Sequence, residues 1–190
     1  MAMADAERFQ PSTILDWHDW LTTHHGQGTG VWVVIWRSSS HHTQLSYDEL
    51  VREALCWGWV DGQASPLDEQ RSMLWFTRRK PNSPWAATNK ARVVDLEREG
   101  RLQPAGLAEI NRAKANGMWT ILDSVEALEE PAELAAALDA SPAARANWDG
   151  FPRSARKQAL ASIALARRPE TKTKRIATIV EKASDGVRPA

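Results

Sequence analysis

The chain has 190 residues, 43% hydrophobic and 25% charged, with 24 Lys/Arg against 24 Asp/Glu. That is the make-up of a soluble globular protein of one domain or two small lobes. The longest aliphatic-aromatic run, Val31–Trp36, spans six residues, which excludes a transmembrane helix, and the lone Cys56 excludes an internal disulfide or a multi-cysteine metal site. The N-terminus lacks an apolar core, being interrupted by Asp5 and Glu7, so no signal peptide is expected and the expected compartment is the cytoplasm.

In chain order, Ile14, Leu15, Trp17, His18 and Leu21 share helical spacing, and the glycines of Gly26–Gly30 end that helix in a loop. Val31–Trp36 is β-branched and aromatic on both faces, as suits a buried strand. A polar Ser/His loop follows, and Ser46-Tyr47-Asp48-Glu49 is a capping box. The helix it opens carries Leu50, Val51, Ala54 and Leu55 on one side and is expected to stop at Gly58. Trp57 and Trp59 flank that glycine, and both are expected to face the interior. Trp59–Ala64 and Arg71–Thr77 read as two strands joined by a polar turn around Pro66–Gln70.

From Asn82 onward the pattern is helical, and Pro84, Pro104, Pro131, Pro142, Pro152 and Pro169 stand where helices can begin. Proline at the first helical position sacrifices no internal hydrogen bond and has its φ already set. The expected fold is α+β: a small antiparallel sheet of about three strands packed by helices in an N-terminal lobe, residues 1–128, then a helical C-terminal lobe, residues 129–190. Glu129-Glu130-Pro131 is the expected joint. Residues 151–190 hold ten Lys/Arg against three acids. This basic end has two readings, an anionic partner or packing against the acidic segment Asp123–Asp139 of the same chain.

The informative stretch runs Glu53-Ala54-Leu55-Cys56-Trp57-Gly58-Trp59-Val60-Asp61-Gly62, then Phe76-Thr77-Arg78-Arg79-Lys80-Pro81-Asn82-Ser83-Pro84-Trp85-Ala86-Ala87-Thr88-Asn89. Further on come Gly100-Arg101-Leu102-Gln103-Pro104, Ala113-Lys114-Ala115-Asn116-Gly117-Met118-Trp119 and Ala166-Arg167-Arg168-Pro169-Glu170-Thr171-Lys172-Thr173-Lys174-Arg175-Ile176. In these motifs the chain resembles the bacterial YdeI/OmpD-associated family, labelled for bacteriocin protection, from about Trp17 to about Ala183. The resemblance implies a role in stress or bacteriocin resistance and names no reaction. Three features depart from the family pattern: Arg78 where proline is usual, Ala86 where serine is usual, and Ser38-Ser39-Ser40-His41-His42 in a loop often rich in lysine.

The residues themselves suggest an anion site. Arg78, Arg79 and Lys80 lead into Ser83-Pro84, read as a helix start whose free N–H groups and positive dipole end would lie beside three cations. Trp85 would offer a stacking face, and Asn89 lies one turn further along. The structural alternative makes Ser83 a cap, Trp85 core, and the arginines partners of Asp61, Asp68 or Glu69. Asp61 itself reads as a salt-bridge partner of Arg79 or as a ligand anchor. Cys56 reads as a buried small hydrophobe, and as a nucleophile only beside a base. His24, His25, His41 and His42 read as exposed loop residues, and with His18 they complete no metal-ligand spacing. No cofactor motif is present: Gly26–Gly30 precedes a strand rather than a helix.

The first functional reading is a non-enzymatic protein binding an oxyanion or nucleotide-like ligand at Asp61, Arg78, Arg79, Lys80, Ser83, Trp85 and Asn89. The alternatives are a nucleic-acid-binding protein using the basic helices of Arg153–Arg175, and an enzyme of unknown reaction acting through Asp61 or Cys56.

Overall fold

The computed structural model describes residues 6–42 and 45–189. Residues 1–5, on which the reading of the N-terminus partly rests, lie outside them. Packing divides the chain into two compact units, Met1–Asn116 and Gly117–Ala190.

The first unit is α+β. Its strands are β1 (Arg8–Phe9), β2 (Val31–Trp36), β3 (Trp59–Pro66) and β4 (Arg71–Arg78), and its helices are α1 (Ile14–His24), α2 (Tyr47–Cys56), α3 (Ala87–Arg98) and α4 (Pro104–Ala115). The sheet order is β1-β2-β4-β3. The three expected strands are present, and β2–β4 and β3–β4 pair antiparallel. The sheet is nevertheless mixed, because the two-residue β1 adds parallel to β2. A segment that short has no readable alternation.

Cross-strand partners share a face. Val31/Phe76 and Val33/Leu74 occupy one face, and Trp32/Trp75 and Val34/Met73 the other. Trp32, Val34 and Met73 form a cluster of their own with Ala6, Leu67 and Trp75, so β2 is apolar on both sides because both are covered. Helix α1 packs on α2, and α2 on β3, α3 and α4. Trp17 Nε1 donates to Leu50 O at 3.2 Å, and Trp59 Nε1 to His25 O at 2.9 Å. The Ser46/Glu49 capping box is formed, and a second one joins Thr13 and Asp16 at the start of α1.

Gly58 ends the α2 region with φ +76° and opens β3. Trp59 is fully buried, but Trp57 is only half-buried. Its Nε1 donates to Glu53, and the rings of His18 and His25 pack against it. His24 and His25 are accordingly not free loop residues: their Nδ1 atoms bond to Trp20 O and Leu21 O at the end of α1. His41 and His42 are exposed, and His42 stacks on Trp36.

The second unit is helical: α5 (Asp123–Ala127), α6 (Ala132–Asp139), α7 (Pro142–Gly150), α8 (Arg153–Ala164) and α9 (Pro169–Ser184). Its core holds Val125, Leu134, Leu138, Trp148, Leu160, Ile163, Ile176 and Ile179. Because Leu122, Val125 and Leu128 pack there too, the division falls at Asn116/Gly117, ahead of Glu129–Pro131. The acidic segment meets basic residues of its own unit. Glu126 pairs with Lys157, Glu133 with Lys172 at 2.8 Å, and Glu130 with Arg145 at 2.9 Å and Arg156 at 3.9 Å. No described helix is long and apolar enough to cross a membrane.

Candidate anion site

Strand β4 ends at Arg78, and Arg79 N donates to Gly58 O at 3.0 Å, which ties the start of the following loop to the turn before β3. Sequence reasoning opens a helix at Ser83-Pro84, but α3 begins at Ala87, with Ala86 as N-cap and no side-chain cap. Ser83 instead closes a turn. Its Oγ accepts from Lys80 N at 3.2 Å, and its N–H donates to Lys80 O at 2.9 Å. The helix N-terminus therefore does not lie beside Ser83, and no dipole argument attaches to that residue. The loop is held from α4 as well, where Asn116 Nδ2 donates to Pro81 O at 2.7 Å.

Trp85 is 1% exposed and belongs to the core. Its ring face is taken by the Arg79 guanidinium, 3.6 Å from the ring centroid, so the stacking contact is made within the chain. Arg79 is only 4% exposed. Its Nη1 donates to Pro84 O at 3.2 Å, whereas its Nε is buried without a partner among the described residues. Burial pulls the guanidinium down to about 10, opposed by the charges of Asp61 and Glu109. It remains cationic at neutral pH.

Asp61 does not form the expected salt bridge with Arg79. It lies at an irregularity of β3, and its Oδ2 accepts a 2.5 Å hydrogen bond from the Tyr47 hydroxyl. Burial, and then that bond, push the Tyr47 phenol up to about 12. Asp68 serves the turn before β4, bonding the backbone N–H of Gln70 and Arg71 and the Arg71 side chain. Asn89 is buried, and its Oδ1 accepts from Arg92, which also pairs with Asp48. Asp61, Ser83, Trp85 and Asn89 thus each have partners of their own.

What the fold does gather is a cavity of about 370 Å³ lined by Gly28, Thr77, Arg78, Arg79, Lys80, Pro81 and Arg112. Four of these seven are cationic. The acid that faces them is Glu109 on α4, only 5% exposed, which pairs with Arg112 on its own helix and with Arg78 at 3.6 Å. The Lys80 side chain has no carboxylate partner among the described residues. Sequence reasoning missed Glu109 and Arg112, and their only local signal is an acid and a base three apart on one helix. An excess of guanidinium and ammonium groups around a small recess, with one buried guanidinium N–H unsatisfied, is suited to an oxyanion.

The other chemistry-bearing groups are otherwise engaged. Cys56 is 1% exposed, its thiol pushed up to about 12 by burial and then by the charge of Glu53, and its Sγ donates to Arg52 O. A thiol so held is a poor nucleophile. Buried Glu53 accepts from His18 at 2.8 Å, Arg101 at 2.8 Å and Trp57 at 3.2 Å. No group of three or more His, Cys, Asp or Glu among the described residues is placed to hold a metal.

Residues 9–109 match the model of a family described as Domain of unknown function (DUF8412). That is more than half of the chain, which belongs to this family. Residues 127–186 match the model described as Bacteriocin-protection, YdeI or OmpD-Associated. The resemblance read from the motifs is thus matched over the C-terminal part, whereas the Glu53–Asn89 motifs fall within the first model. Neither a curated protein nor a solved structure matches the chain.

Proposed function

We propose that the chain is a non-enzymatic, resistance-associated protein whose first unit binds a small oxyanion, such as phosphate or the phosphate of a nucleotide, in the basic cavity. The observation that carries this reading is the gathering of four cationic side chains, Arg78, Arg79, Lys80 and Arg112, around one small recess, faced by a single paired glutamate, Glu109. Like charges held this close repel one another, and a bound dianion relieves that repulsion while supplying acceptors. The association with bacteriocin protection rests on the match of residues 127–186.

Phosphate is expected to raise the melting temperature progressively with concentration, as mass action requires for a ligand of the native state. Chloride at matched ionic strength controls for screening. Arg112→Ala and Lys80→Ala are the informative variants, because Arg79 is packed on Trp85 and its removal would damage the fold. Each is expected to lose most of the phosphate shift, with Lys174→Ala behaving as wild type. A chloride shift as large as the phosphate shift would refute the site.

A further inference from the structure

The second unit carries a recess that the first unit's cavity does not explain. It lies between α8 and α9, has a volume of about 350 Å³, and is lined by Ala159, Ser162, Thr171, Lys174, Arg175, Thr178, Ile179, Lys182 and Pro189. Three independent features define it. Its base is apolar, with Ala159 and Ile179 buried below the opening. One end is closed by the chain itself: after α9, Gly186 adopts φ +69°, Gly186 N donates to Ala183 O and Val187 N to Lys182 O, and the returning tail buries Pro189. The rim is cationic, from Lys174, Arg175 and Lys182, with the hydroxyls of Thr171 and Thr178 alongside, and among the described residues no acid lines it.

The four lysines of the unit divide into two pairs. Lys157 and Lys172 are each taken by a glutamate, whereas Lys174 and Lys182 have no carboxylate partner among the described residues. Arg175 is fixed in place by donating from Nη1 to Ser162 O across to α8. A preset guanidinium between two unpaired ammonium groups, above an apolar base, calls for a molecule with one anionic head and a short hydrophobic body. A bare phosphate would leave the base unfilled, and an uncharged hydrocarbon would leave the rim unpaired. We infer that the α8–α9 recess binds a small organic carboxylate, with its head at Lys174, Arg175 and Lys182 and its apolar body against Ala159, Ile179 and Pro189. At the small end of the roughly 300–1,000 Å³ typical of ligand cavities, it fits a free monocarboxylic acid rather than a large cofactor.

Octanoate is a suitable probe, titrated into the full chain by calorimetry, with octylammonium as the charge control. The expected result is saturable one-to-one binding of octanoate and none of octylammonium. The double variant Lys174→Glu/Lys182→Glu, altered only at the rim and checked for a wild-type circular dichroism spectrum, is expected to bind at least tenfold more weakly. Arg112→Ala, altered in the first unit, is expected to bind octanoate like wild type, and saturating inorganic phosphate is expected not to compete. This separates failure here from failure of the anion site in the first unit. Absence of octanoate binding, equal binding of octylammonium, or full affinity in the double variant would overturn the assignment.

Discussion

Glu130 shows how one side chain can set the pH response of a helical unit. It is largely buried, its Oε1 accepts from Trp148 Nε1 at 2.7 Å, and both its oxygens accept from Arg145. Burial alone would raise its carboxyl, but the hydrogen bonds from Arg145 and Trp148, with the charges of Arg145 and Arg156, hold it below the ordinary glutamate value. A carboxylate held below its unfolded value stabilises the fold above the unfolded pKa, and that contribution is lost as pH falls through the folded one. Glu130→Gln is therefore expected to lose roughly 1–3 kcal/mol at pH 7, since Arg145 is left with a weaker partner. The gap to wild type should shrink as pH falls below the ordinary glutamate range and close as the folded carboxylate takes up its proton at lower pH still. Urea denaturation at a series of pH values measures both, and a gap that does not change with pH would contradict the account. None of this was legible beforehand, because Glu130, just ahead of α6, meets Arg145 and Trp148 of α7 only in the folded unit. By contrast, the burial of Trp59 follows from its place after Gly58, and the Ser46/Glu49 box from spacing alone.

Among elements, the approach of α4 to the end of α2 decides whether Glu109 and Arg112 reach the basic loop. Gln103 N donates to Cys56 O at 3.0 Å just before α4 begins, and a Cβ placed on Gly106 would come within 2.3 Å of that same Cys56 oxygen. The backbone cannot yield there without breaking the bond, so Gly106→Ala is expected to destabilise the first unit by on the order of 1–3 kcal/mol. It should also weaken phosphate binding, because Glu109 and Arg112 follow on the same helix. Chemical denaturation and the phosphate-dependent melting shift measure the two effects, and an Ala variant as stable as wild type would show that α4 can retreat. The proline rule explains much of what could be read at this scale. Pro104, Pro142 and Pro169 stand in the first turn of α4, α7 and α9. Pro131 and Pro152 stand one residue earlier, at the N-caps. Pro84 misled because its carbonyl serves Arg79 and its neighbour Trp85 is drawn into the core, which delays α3 to Ala87. The Arg78–Lys80 run was visible in sequence, but its partners on α4 were not, because a three-residue spacing on a helix says nothing of which loop that helix meets.

At the scale of the whole molecule, the charge asymmetry of the sequence largely cancels on folding. Residues 117–190 contain eleven Lys/Arg and ten Asp/Glu, and Glu126, Glu130 and Glu133 hold Lys157, Arg156 and Lys172. Of the ten cations in residues 151–190, Arg156, Lys157 and Lys172 are held by carboxylates, and the near-neutral total charge of the unit leaves only a weak field to draw in a polyanion. A protein neutralising 6–10 phosphates loses roughly 10³–10⁵ in affinity between 50 and 200 mM salt. The near-neutral total charge of this unit predicts weak binding to a DNA duplex and a salt dependence shallower than that. Fluorescence anisotropy with a labelled duplex supplies the measurement. Releasing the neutralised cations should change the result in a definite direction: in Glu126→Gln/Glu133→Gln, Lys157 and Lys172 are freed, and both affinity and salt slope should rise. A steep slope already present in the wild type, unchanged in the double variant, would mean that these ion pairs do not restrain the basic helices, and would favour nucleic acid as the partner of α8 and α9.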